Sequence, residues 1–229
     1  MRKQTIPGSG KMKIAAIVPA YNEAGRIGRV VATVERVSEI AEIIVVSDGS
    51  TDGTAAEAAQ AGTRVKVVEL AANQGKGAAL WAGVCATDAD ILVFLDADLL
   101  GLRPEHVRAL IRPVVKGESE MSMAVFAGGR LATDLAQKIA PFLSGQRALR
   151  RDLLDRIPSL AVSRFGVEIA LTQFVHDEGI PVRRVPWRDV THVMKEEKLG
   201  WAKGFRARLK MYWEILGSLR YGKVRRGRG

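Results

Sequence analysis

Asp96-Ala97-Asp98 places two carboxylates one residue apart, directly after the apolar run Ile91-Leu92-Val93-Phe94-Leu95. Carboxylates held this close repel each other unless a cation or a proton is shared between them. A divalent metal serving a phosphorylated substrate is the economical reading, because hard cations take carboxylate and phosphate oxygens. The apolar run reads as a strand buried on both faces, as in a parallel sheet. Such a strand delivers both acids at its carboxyl end, where open α/β sheets bind their ligands.

The elements upstream repeat this arrangement. Lys13 to Pro19 (KIAAIVP) reads as a short buried strand stopped by Pro19. It leads into Ala20-Tyr21-Asn22-Glu23, with Asn22 the expected N-cap of a helix carrying Ile27, Val30, Val31, Val34 and Val37 at helical spacing. Glu42 to Ser47 is a second strand, ending in Asp48-Gly49-Ser50-Thr51-Asp52-Gly53-Thr54, and residues 52–61 read as a helix. Val65 to Leu70 is a third strand, after which Asn73-Gln74-Gly75-Lys76-Gly77 opens an Ala-rich helix reaching about Ala86. Singly, each loop would pass as an ordinary turn or helix start. Their order, all at the ends of consecutive strands, joins them into one candidate anion site on a sheet of right-handed βαβ units.

Three other ligand motifs fail on specific positions. A Walker A loop needs glycine five residues before Gly75 and Ser or Thr after Lys76, where Leu70 and Gly77 stand. A dinucleotide fingerprint would put glycine at Leu80 and would follow the first strand. An EF-hand starting at Asp48 would want glutamate where Ala59 lies.

Beyond the Asp96–Asp98 pair, Arg103 to Lys116 is expected to be a helix with Pro104 in its first turn. Met121 to Phe126 reads as a strand, and residues 130–156 look helical, interrupted by Pro141 and by Ser144-Gly145. A helix from Val167 to Asp177 precedes a strand from Pro181 to Pro186.

A chain of 229 residues with 47% hydrophobic content can bury one sizeable core. Its single cysteine, Cys85, provides no disulfide framework and fits a reducing compartment. No apolar run approaches the roughly 20 residues that span a bilayer, and Met1 to Lys13 lacks the apolar centre of a signal peptide. The expected location is therefore cytoplasmic. Between Trp201 and Gly229, nine Lys/Arg against the single Glu214 supply +8 of the chain's net +10. The body is nearly neutral, which argues against a whole-surface nucleic-acid binder and for a local anionic partner. In that last segment Trp201, Phe205, Leu209, Tyr212, Trp213, Leu216 and Leu219 recur at steps of three and four, with Lys203, Arg206, Arg208 and Lys210 interleaved. A basic amphipathic helix of this kind either lies on an anionic membrane surface through residues 201–221 or docks on the core with its charges solvated.

Pro19-Ala20-Tyr21-Asn22-Glu23, Asp48 to Thr54, Asn73 to Gly77 and Leu95-Asp96-Ala97-Asp98 resemble the ordered motifs of family-2-type glycosyltransferases with a GT-A fold. The resemblance is specific over residues 13–100. From Ser144 to His192 it is looser and points to dolichyl- or polyprenyl-phosphate sugar transferases and glucosyl-3-phosphoglycerate synthases. It implies an α/β fold with a Rossmann-like, mostly parallel sheet flanked by helices. It implies nucleotide-sugar binding by Pro19, Tyr21, Glu23, Asp48, Lys76 and Asp96, with Glu23 and Asp48 at the ribose and base and Lys76 near the base and phosphates. Asp98 and Asp96 match the metal motif, and His192 matches the position of a third ligand for Mg²⁺ or Mn²⁺.

On the acceptor side, Gly145-Gln146-Arg147 resembles the family's acceptor loop, and the Arg147 guanidinium suits a phosphate. Arg150 and Arg151 either assist it or form a solvated helix face. Glu168 matches an acidic residue that serves many inverting relatives as general base. The resulting expectation is a metal-dependent transfer of a hexose from a nucleotide diphosphate sugar to a phosphorylated acceptor. The Trp-rich tail favours a polyprenyl phosphate, with a peripheral position on the inner membrane face. The alternatives are a soluble phosphoglycerate-type acceptor and a non-catalytic nucleotide-sugar-binding scaffold. The expected layout is a disordered leader (1–11), the GT-A domain (12–195), the amphipathic helix (196–222) and a basic tail (223–229).

Overall fold

The computed structural model describes residues 12–127, 145–157 and 167–192, the last of them by its backbone. The expectations for residues 1–11, 196–222 and 223–229 lie outside these residues. The chain divides into two units, Met1–Thr191 and His192–Gly229, and the elements that follow belong to the first, apart from the final residue of the last strand, His192.

Strand and helix alternate as the hydrophobic periodicity predicts: β1 (Ile14–Ala20), α1 (Ile27–Glu35), β2 (Glu42–Asp48), α2 (Thr54–Gln60), β3 (Val65–Leu70), α3 (Lys76–Cys85) and β4 (Ile91–Phe94). After them come β5 (Leu99–Leu100), α4 (Pro104–Val115), β6 (Met121–Ala127), β7 (Arg147–Arg150), α5 (Arg151–Asp155), α6 (Val167–Asp177), β8 (Val182–Arg188) and β9 (Thr191–His192). The main sheet has seven strands in the order β3-β2-β1-β4-β7-β6-β8, and β5 and β9 form a separate pair. β1 runs parallel to both β2 and β4, β2 parallel to β3, and β6 parallel to β8. β7 is the exception, antiparallel to β4 and to β6.

The sequence explains this order. β1 (IAAIVPA) and β4 (ILVF) are apolar at every position and buried at every position, so both occupy the centre. β8 alternates, with Val185 and Trp187 buried while Arg184, Pro186 and Arg188 face solvent. Pro186, which has no N–H to give a further ladder, suits that edge position. One core lies on the face of α1 and α4, the other on the face of α3 and α6. On the second face α3 approaches β1 so closely that a Cβ at Gly83 would meet Ile17 Cγ2 at 2.4 Å. Because β1 feeds α1 towards β2 but also pairs with β4, the strand order reverses there. A crevice opens outside the carboxyl ends of these two strands, the usual ligand position of open α/β sheets.

Two expectations need correcting. Asn22 does not cap α1: it takes a left-handed turn at φ 53°, and the helix starts at Ile27 behind Arg26. Its side chain serves a neighbouring loop instead. Residues 147–150 are not helical but form β7, pairing Phe94 with Arg147 and Val93 with Ala148. Arg-Ala-Leu-Arg has no strand pattern of its own, and the open hydrogen-bonding edges of β4 and β6 decide its conformation.

Of the two arginines expected near an acceptor or in a solvated face, Arg151 acts within the scaffold while Arg150 stays half-exposed. Arg150 pairs with Asp152 at 2.7 Å. The Arg151 guanidinium donates to the backbone carbonyls of Ala89 (2.8 Å), Val84 (3.0 Å) and Thr87, clasping the end of α3 to the start of β4. Arg151→Ala should cost about 2 kcal/mol of stability, the usual order for hydrogen bonds made by a charged group. Urea unfolding measures this, and an unchanged midpoint would contradict the clasp. Among the described residues, no helix is long and apolar enough to cross a membrane.

Candidate active site

The loops after β1 and β2 are built against each other. Asn22 Oδ1 accepts from Thr51 N–H at 2.9 Å, and Asn22 N–H donates to Ser50 Oγ at 3.2 Å. Glu23 N–H donates to Thr54 Oγ1 at 2.8 Å, and Ala24 N–H to Asp52 Oδ2 at 3.2 Å. Asp52 and Thr54 therefore hold the β1 loop in place. Glu23 itself is almost buried, and its carboxylate pairs with Arg26 at 3.1 Å.

Asp48, at the end of β2, is buried and accepts from the N–H groups of Gln74 and Gly75, both at 2.8 Å. One carboxylate thus shapes the loop that launches α3. Gly49 next to it is at φ +67°, and a Cβ there would stand 2.4 Å from Asn73 N and 2.5 Å from the carbonyl carbon of Ala72. Only glycine lets the two loops approach this closely. Gly75, at φ +90°, turns the chain into α3, whose first turn carries no acidic residue and no side-chain cap. A helix N-terminus left in this state favours negative charge.

The centre of the site is Lys76. Its Nζ lies 2.6 Å from Asp96 Oδ1 and 3.1 Å from Glu168 Oε1, the second contact an ion pair outside hydrogen-bond geometry. Gln146 Nε2 donates to the other oxygen of Asp96 at 2.7 Å. Gly145 closes over this group: a Cβ on it would lie 2.6 Å from Lys76 Nζ, 3.0 Å from Glu168 Oε1 and 3.3 Å from Asp96 Oδ1. Desolvation pulls the Lys76 ammonium down, but the charges of Asp96 and Glu168 outweigh it and hold its pKa above the usual lysine value. Residues 76, 96, 145, 146 and 168 thus meet at one point, from α3, the β4 end, the β7 entry and α6.

Other expected residues lie elsewhere. Arg147 is buried and donates to the Glu168 backbone carbonyl at 3.3 Å. Burial lowers its pKa and the charge of Glu168 raises it, with burial prevailing. Alternation along the chain puts Arg147 under α6, where it lines a cavity of about 280 Å³ with Met123, Thr172, His176 and Arg184. Gly145 and Gln146 therefore meet the cluster while Arg147 braces the backbone of Glu168. Pro19 is buried inside β1, and Tyr21 is 48% exposed at the lip. Asp98 follows Asp96 with intermediate exposure. The side chain of His192 lies outside the described residues. Among those residues no three His, Cys, Asp or Glu side chains are grouped to hold a metal.

Sequence reasoning missed the Lys76–Glu168 pair, the Gln146–Asp96 hydrogen bond and the loop-shaping role of Asp48. No local signal marks contacts between residues this distant in sequence.

A mostly parallel sheet with its switch point at β1 and β4, and an acid pair beyond β4, is the GT-A arrangement. The glycosyl transferase family 2 profile matches residues 15–171, and the chain belongs to that family. Glucosyl-3-phosphoglycerate synthase of Mycobacterium tuberculosis is 33% identical over 156 residues, covering 54% of this chain and 48% of that protein. The chain thus spans about half the length of the curated relatives it matches. The crystal structure of the same M. tuberculosis enzyme with Mn²⁺, UDP-glucose and phosphoglyceric acid superposes with a TM-score of 0.63 and 28% identity, covering 80% of this chain and 72% of that one. The enzyme with Mg²⁺ and UDP gives a TM-score of 0.63 and 27% identity, again covering 80% and 72%.

Proposed function

We propose that this chain transfers glucose from UDP-glucose to a soluble phosphoglycerate-type acceptor, with Mg²⁺ or Mn²⁺ at Asp98 and Asp96. The observation that carries this is the meeting of Lys76, Asp96 and Glu168 under Gly145, where donor-side and acceptor-side elements share one charge cluster. The donor set fits such a metal, since Mg²⁺ is commonly held by one or two carboxylates together with substrate phosphates. His192 is proposed as a further ligand on the resemblance alone. When bound, the ion would supply Lewis-acid stabilisation of the diphosphate leaving group.

The protein's own residues do the rest. Glu23 and Asp48 flank the part of the crevice assigned to ribose and base, with Tyr21 and the backbone of Pro19 beside them. The N-terminus of α3 and Lys76 face the diphosphate, and both favour negative charge. Gly145 and Gln146 form the floor under the acceptor. Glu168, fixed by Lys76 in front and by Arg147 behind, is placed to accept a hydrogen bond from the attacking hydroxyl. The soluble acceptor is favoured because the curated relative above is, by name, a phosphoglycerate enzyme. The polyprenyl-phosphate expectation and its membrane-surface partner depend on residues 201–221, outside the described ones. The experiment is product formation from UDP-glucose and Mn²⁺ with 3-phosphoglycerate, set beside polyprenyl phosphate in anionic vesicles. Transfer to the soluble acceptor is expected.

A further inference from the structure

Asp96 is occupied by its own chain from two sides. Gln146 donates to one oxygen at 2.7 Å, and the Lys76 ammonium sits 2.6 Å from the other while also pairing with Glu168. The Lys76 side chain is nonetheless 41% exposed, against 20% for Asp96 and 21% for Glu168. A long, half-exposed stem carries a charge that can leave its partners without dismantling the core. An ammonium and a divalent cation cannot both take the same face of one carboxylate, and each repels the other.

We propose that Lys76 is the resident counter-ion of the donor site. It neutralises Asp96 and Glu168 in the free protein, surrenders Asp96 when a divalent cation binds there, and turns its charge to the incoming nucleotide diphosphate. Metal binding in the absence of nucleotide is thereby held weak, and the nucleotide and the metal arrive as a coupled pair. Such coupling is reciprocal by thermodynamic necessity. The exchange also releases Glu168 from a neutralising partner at the moment the donor is seated, linking donor binding to the acceptor side.

The inference depends on the metal reading above, and its test separates the two. Mn²⁺ is titrated into the free protein while the electron paramagnetic resonance signal of unbound Mn²⁺ is followed, and UDP binding is measured by calorimetry. Lys76→Met and Lys76→Gln should bind Mn²⁺ alone on the order of tenfold more tightly than the native chain, a usual size for coupling between sites. The same variants should bind UDP alone on the order of tenfold more weakly. Lys76→Arg, which keeps the charge, should restore both behaviours towards native. A lysine that merely supports the fold would not produce opposite changes in the two affinities. Unchanged or weaker Mn²⁺ binding in both neutral variants would overturn the counter-ion role while leaving the metal site intact. If the native chain takes up no Mn²⁺ even with UDP present, the metal reading falls and the inference with it.

Discussion

Replacing Asp98 by asparagine is expected to lower kcat/KM for glucosyl transfer by about 10³-fold, the scale seen when one preorganised stabiliser of developing charge is lost. The two acids beyond β4 are not equivalent. Asp96 is held by Lys76 and Gln146, with both oxygens engaged inside the protein. Asp98 lies one step further along the crevice with intermediate exposure, and so is the stronger candidate for direct metal contact. Asparagine keeps the shape of the side chain and removes its charge, so the melting temperature should stay close to native. Steady-state kinetics with Mn²⁺ and a thermal melt measure the two quantities together. Loss of turnover without loss of stability places Asp98 in the chemistry, and unchanged turnover would remove it from the metal site.

Gly145→Ala is the second substitution with a large expected effect. The added methyl would stand 2.6 Å from Lys76 Nζ and 3.0 Å from Glu168 Oε1, well inside van der Waals contact. The near atoms are the ends of flexible side chains, so the fold yields by displacing them and pays little for it. The displaced groups are the Lys76–Asp96–Glu168 cluster to which the proposed function assigns donor and acceptor contacts. A shift of about 1 Å in positioned groups can cost about 10²-fold in rate, and a loss of that order in kcat is expected with a melting temperature close to native. A large drop in melting temperature would mean that Gly145 supports the fold rather than the cluster.

The strand-helix alternation through β4 was legible because apolar residues dominate each strand and each following loop carries its own turn residues. β3 kept its expected bounds, Val65–Leu70, although Lys66 and Glu69 interrupt its apolar residues. The segment 147–150 was not legible, because its strand exists only through pairing with β4 and β6. In the site, Asp48, Lys76, Asp96, Asp98 and Glu168 could be nominated from their motifs, but their contacts could not. Asp48 reads as a ligand-gripping acid, and in the fold it also ties the Gln74-Gly75 backbone. Arg147 reads as an acceptor arginine, and strand alternation turns it under α6 behind Glu168. Local sequence carries residue type and spacing; which face a side chain takes depends on a register set elsewhere in the sheet.

The central claim is tested most directly by incubating the full chain with UDP-glucose, 3-phosphoglycerate and Mn²⁺ and following the products by mass spectrometry. A glucosylated phosphoglycerate should accumulate together with equimolar UDP, and chelating the metal or substituting Asp98→Asn should stop both. Transfer to polyprenyl phosphate with none to phosphoglycerate, or turnover indifferent to chelation, would contradict the account.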